Sequence, residues 1–97
     1  MKHTNSITRS ARGEDCTVRI GGYCNRNPET VVYAHKNGGG MGTKSNKIHG
    51  AYCCSSCHDV IDGRAKSHFS PEMVKVMHYE GIFRTQLILI AKGLIKT

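Results

Sequence analysis

Apolar positions along this chain change their period part-way. In the last third, Met73, Val76, Met77, Phe83, Leu87, Ile90 and Leu94 recur at three- and four-residue steps, with Glu80 the one polar residue on the stripe. That period predicts a helix with an apolar face. Ser70-Pro71-Glu72 supplies its N-cap, a proline at the first helical position and an acidic first turn. Gly81 is a point where the helix can bend or split, and Gly93 after Lys92 is a stop signal. The stripe is expected to roof the rest of the domain.

Earlier segments read differently. Residues 30–35 are β-branched and aromatic and end at a breaker run, which predicts a strand. Residues 48–52 return as its partner, closing a hairpin around a glycine-rich loop at 36–47. Residues 17–23 predict a short strand ending in the Gly21-Gly22 turn. The segment from Cys54 to Asp59 reads as a turn entering a short helix that Asp62-Gly63 ends. Residues 1–12 are polar and aperiodic, a mobile arm, which leaves 13–97 as one domain.

Composition changes this picture. Leu, Ile, Val and Phe number 19 in 97 residues, and eight of them fall in 82–95. The first 81 residues therefore hold too few to build a core of their own, and a staple is needed. No run approaches a membrane span and no signal-peptide pattern opens the chain, so a cytoplasmic, reducing setting is expected. There, five cysteines read as metal ligands with one thiol left over.

Cys54-x2-Cys57 is a chelating half-site for tetrahedral zinc. Cys16 and Cys24 are separated by seven residues, longer than the usual two to four, but the Gly-Gly turn between them can fold the segment back. Together these four form a candidate structural zinc site, with Cys53 spare. Two alternatives stay open: Cys53 in place of Cys54, or cysteines that are only buried apolar groups. Cys54-Ser55-Ser56-Cys57-His58 also matches a c-type haem attachment pattern, which would require export. Gly42-Thr43-Lys44-Ser45 departs from the P-loop pattern at Thr43.

A formal charge of +7 with six histidines points to a phosphate-bearing partner. His35, at the end of the first hairpin strand, has the pKa range of a general base. His58 and Asp62 stand four apart on the predicted helix, able to hold one divalent cation such as Mg²⁺, Mn²⁺ or Ni²⁺. Strand, loop, strand and helix make a ββα unit with His35 and His58 across a shallow groove. Asn46 or His49 is in range to orient the base, and Lys36, Lys44 and Lys47 are phosphate contacts.

Three segments resemble a known family: Cys24-Asn25-x-Asn27-Pro28-Glu29-Thr30 to Ala34-His35, Cys54-Ser55-Ser56-Cys57-His58-Asp59-x-Ile61-Asp62, and Glu80-Gly81-x-x-Arg84-Thr85-Gln86. They are similar to the YbcO-type phage and prophage nucleases, grouped with the HNH or His-Me finger endonucleases. The resemblance implies a small α+β domain, a zinc-stapled treble clef with a ββα-metal core and a long C-terminal helix. It implies hydrolysis of DNA in a bacterial host cell, with His35 as base and His58 as metal ligand. Ala34 stands where many HNH enzymes carry an acidic ligand. A non-catalytic treble-clef module binding nucleic acid is the competing reading. Oligomeric state and substrate structure are left open.

Overall fold

The computed structural model describes residues 6–35 and 48–95. Its elements run α1 (Ser6–Arg9), a 3₁₀ turn (Pro28–Thr30), β1 (Val32–His35), β2 (Gly50–Cys53), α2 (Ser55–Asp62) and α3 (Pro71–Ala91). β1 and β2 pair antiparallel, with Val32 opposite Cys53 and His35 opposite Gly50. This is the expected hairpin, and its connecting loop lies outside the described residues. Every residue of β2 is buried. The Tyr33 ring lies so close over Gly50 that a Cβ there would collide with it.

Local signals account for the helix ends. Ser70 Oγ accepts from Met73 N–H at 3.1 Å, and Pro71 opens α3. α2 ends at Gly63, whose φ of 82° is a left-handed conformation that glycine adopts without a Cβ clash. Among the described residues, no helix is long and apolar enough to cross a membrane.

α3 runs unbroken through Gly81, and its inward face departs from expectation. The buried residues are His78, Gly81, Ile82, Thr85 and Leu89. Most of the large-residue stripe points away, Met73 and Val76 being 46% exposed, Phe83 64%, Leu87 69% and Ile90 37%, while Met77 and Leu94 pack half-buried against the core. The reason is a close approach combined with a buried polar chain. A Cβ on Gly81 would stand 2.8 Å from Val18 Cγ2 and 3.1 Å from Val18 Cα, so α3 lies directly on that segment. Tyr52 N–H donates to Thr85 Oγ1 at 3.0 Å, and Thr85 Oγ1 is 2.8 Å from Thr17 Oγ1, which reaches Gly81 O at 3.1 Å. Arg84 Nη1 donates to Thr17 O at 2.7 Å, and Gln86 Nε2 to Ile48 O at 2.8 Å. Leucines and phenylalanines supply neither the small volume nor the hydroxyl that this contact needs.

Two further expectations are corrected. Residues 17–23 form turns rather than a strand, with Arg19 at φ 54° and Gly22 at φ 82°. The N-terminal segment is not an arm from Ser6 onward: Ile7 and Ala11 are buried, and Ser10 Oγ, which donates to Ile7 O, accepts from Tyr52 Oη at 2.7 Å. Ile7 and Ala11 are two of the few apolar groups available there, and burial recruits them. Lys92 Nζ closes the same end on Glu14 Oε2 at 2.7 Å. The apolar deficit is made up by cysteine, since Cys16, Cys53, Cys54 and Cys57 share one buried cluster with Val18, Ile20, Tyr52 and Leu89.

Gly81→Ala is expected to force α3 off Val18, and Thr85→Val to leave Tyr52 N–H unpaired in the interior. Each should lower stability by about 1–3 kcal/mol, read as a shift in the urea midpoint.

Candidate functional site

The cysteine cluster is built from three chain segments. Cys16 and Cys24 flank the 17–23 turn, while Cys54 and Cys57 sit at the junction of β2 and α2. One sulfur from each of the four lies within 4.8 Å of the others. The Cys54 and Cys24 sulfurs are 3.8 Å apart, the edge, about 3.8 Å, of a tetrahedron with metal–sulfur bonds of about 2.3 Å. The donor set therefore fits a metal such as zinc. Cys54 is also the N-cap of α2, its sulfur accepting from Cys57 N–H at 3.4 Å. The staple and the helix start are thus one residue.

Backbone donors surround these sulfurs. Arg19 N–H points at Cys16 Sγ and Ile20 N–H at Cys57 Sγ, each at 3.4 Å. Arg26 N–H serves Cys24. Arg19 and Arg26 both have positive φ, 54° and 56°. That conformation costs a non-glycine residue on the order of 1 kcal/mol, and here it turns the amides toward sulfur. Hydrogen bonds from Cys53 and Cys57 hold the Cys16 thiol far below its ordinary range. Donating to Cys16 pushes the Cys53 thiol up, and burial pushes Cys24 up to about 11. Cys53 is a fifth, fully buried thiol donating into the set.

α2 carries the next group. His58 and Asp62 stand one turn apart with Nε2 and Oδ2 separated by 3.6 Å. Arg64 Nη2 contacts the same Asp62 oxygen at 2.9 Å. Asp59 faces Arg64 at 3.6 Å instead, and its carbonyl caps the helix end. His35 is exposed at the end of β1, edge-on to Tyr33 at 5.0 Å. Among the described residues, no hydrogen bond or ion pair joins His35 to His58 or Asp62. His49 is exposed just before β2. Asn46, Lys36, Lys44 and Lys47 lie outside the described residues.

One residue escaped the reading of the sequence. His78 is buried on α3 with Nε2 3.2 Å from Ala34 O, the carbonyl preceding His35. It also lines a groove of about 470 Å³ with Val60, Ile61 and Gly63 of the α2 end. His78 thereby links the end of β1 to the helix that carries His58 and Asp62. Its signal was the second period on α3, through Gly81, Ile82, Thr85 and Leu89, masked by smaller residues.

A family model described as "Putative nuclease YbcO" matches residues 5–94. The chain belongs to the YbcO family. It is 44% identical over 94 residues to "Putative nuclease YbcO" of Escherichia coli (strain K12), covering 93% of this chain and 96% of that protein. The same identity and coverage hold for "Putative nuclease ybcO" of Enterobacteria phage 82. The solved structure of a bacteriophage protein from Escherichia coli str. K-12 substr. MG1655 superposes with a TM-score of 0.76 at 41% identity, covering 89% of this chain and 98% of that one.

Two of the YbcO-like motifs have structural work to do. Asn25 Nδ2 donates to Ser55 and Ser56 Oγ at 3.0 and 3.1 Å, and its Oδ1 accepts from Asn27 N–H at 2.8 Å. Ser55 N–H in turn donates to Thr30 Oγ1. The first motif thus laces the 3₁₀ turn to the start of α2. In the last motif, Gly81, Arg84, Thr85 and Gln86 are the residues that seat α3 on residues 17–20 and β2. The middle motif places a partly exposed imidazole and carboxylate, His58 and Asp62, one turn apart on α2.

Cobalt added to metal-free chain is expected to give the absorption of a tetrahedral four-thiolate site. Cys24→Ser should weaken binding by more than the roughly 10- to 100-fold that loss of a supporting partner costs. Because loading displaces protons from thiols such as Cys24, affinity should fall as pH falls, followed by competition with a chromophoric chelator.

Proposed function

We infer that this chain is a DNA endonuclease of the HNH, or His-Me finger, type, hydrolysing phosphodiester bonds with His35 as general base and a divalent cation held by His58 and Asp62. The observation that carries this reading is the order of chemistry along one compact unit. A strand ends in His35, its partner strand ends in the cysteine cluster, and the helix capped by that cluster bears an imidazole and a carboxylate 3.6 Å apart. Membership of a family named for nucleases supports it, as does the +7 charge.

Each group has a part. Zinc on Cys16, Cys24, Cys54 and Cys57 is structural, because four protein ligands leave no open position. His58 and Asp62 fit an open divalent site as one nitrogen and one oxygen donor, the remaining positions falling to water and substrate; Asp62 would exchange Arg64 for the cation. Such a cation stabilises charge on the phosphate and on the leaving oxygen. His35 takes the proton of the attacking water, and His78 fixes the backbone that aims it. His49 or Asn46 orients the base, and Lys36, Lys44 and Lys47 neutralise phosphates along the substrate.

A second reading rests on Arg64. It approaches Asp62 more closely than His58 does, 2.9 against 3.6 Å, and Ala34 offers no acidic ligand before His35. Those features suit a zinc module that binds nucleic acid without cutting it.

Plasmid nicking with Mg²⁺, Mn²⁺ or Ni²⁺ separates the two. His35→Ala should lower the cleavage rate by about 10²- to 10⁴-fold while leaving zinc content unchanged. Equal cleavage by that variant would remove His35 from the reaction. Salt-sensitive DNA binding with no cleavage under any metal would favour the binding module.

A further inference from the structure

α3 is apolar on two opposite sides. At about 100° per residue, Met73, Val76, Phe83, Leu87 and Ile90 centre about 155° around the axis from the buried face of His78, Ile82, Thr85 and Leu89. A contiguous apolar face on a helix is normally covered. Here one side is seated on residues 17–20 and β2, and the other meets solvent.

We propose that this outer face of α3 pairs with the same face of a second copy of the chain, as an antiparallel two-helix contact about a twofold axis near Phe83. The spacing of the stripe is what selects a second copy. Outward from Phe83, the members fall three and seven residues back, at Glu80 and Val76, and four and seven residues on, at Leu87 and Ile90. An antiparallel copy therefore sets Phe83 against Phe83, Val76 against Ile90 and Glu80 against Leu87. That is the 3-4 repeat of a knobs-into-holes seam, and it is nearly its own mirror in order. A surface that matches itself when reversed meets the requirement of an isologous interface.

Charge and area agree. Glu80 is the one ionised residue on the stripe, with Arg84 beside it at 3.9 Å on the same helix. In the reversed copy, Arg84 falls within one turn of the opposing Glu80, so the four charges alternate across the axis. Five large apolar side chains, between 37% and 69% exposed, amount to on the order of 500 Å² per chain. The apolar share of a standard interface, about 60% of about 800 Å² per partner, is similar. The contact uses no residue of the cysteine cluster or the histidine groove, and it stands whatever those groups do.

Sedimentation equilibrium of the full chain tests it. Over about 1 to 200 µM, the mass is expected to rise to twice 10.7 kDa. Phe83→Glu and Leu87→Glu should each raise the dissociation constant at least tenfold, with helix content and bound metal unchanged because both positions are exposed. Glu80→Lys, which sets lysine against the opposing Arg84, should weaken the dimer most at low salt, whereas Glu72→Lys, near the start of the helix, should not. A chain that stays monomeric throughout, including by covering the stripe with its own segment, would overturn the proposal. So would a dimer unaffected by both Phe83→Glu and Leu87→Glu, or one indifferent to Glu80→Lys.

Discussion

Cys54 is where the molecule is tied together. It follows directly on β2, its sulfur caps the first turn of α2, and that same sulfur stands 3.8 Å from Cys24 on the distant 17–24 segment. A short helix of eight residues has little intrinsic stability in water, so its start must be imposed from outside. The cysteine cluster imposes it, and the Asn25 and Thr30 hydrogen bonds to Ser55 and Ser56 brace it from the other side. His58 and Asp62 inherit their position from that cap. Loss of the cluster would release the helix that carries the candidate chemistry, not only a staple.

The second constraint is the contact between α3 and the rest. Beside Ile82 and Leu89 it is made by a glycine and a threonine, at the closest point of approach. Thr17, Thr85 and Tyr52 form a closed chain of buried hydrogen bonds, and a satisfied polar chain of this kind fixes register, since a shift by one turn would leave several groups unpaired. The same register carries His78 to the Ala34 carbonyl, so the seating of α3 reaches the backbone beside His35. Met73, Val76, Phe83, Leu87 and Ile90 are thereby left on the outside, available for a partner.

Much of the fold was legible in local chemistry. The hairpin, the Cys54–Asp62 helix with its Gly63 stop, the Ser70-Pro71 start of the long helix and the pairing of four cysteines all follow from residue types whose effects act within a few positions: caps, β-branching, a glycine that accepts positive φ, and thiols two apart. The YbcO resemblance rested on such segments too. Residues 17–23 were misread because alternation predicts a strand only when a partner strand exists, and here the segment serves the sulfurs with its amides instead.

What the chain determined by itself is therefore the hairpin and the two longer helices, the four-cysteine donor set and the charge; what tertiary structure decided is which side of each element faces in. Period alone cannot choose between two apolar faces of α3, because it weighs side-chain size, while burial here was won by close backbone approach and hydroxyl pairing at Gly81 and Thr85. For the same reason His78 and the 6–12 segment gained roles that no local pattern marked: each is defined by a contact with Ala34 or Tyr52, dozens of residues away, and contacts of that range exist only once the chain has folded.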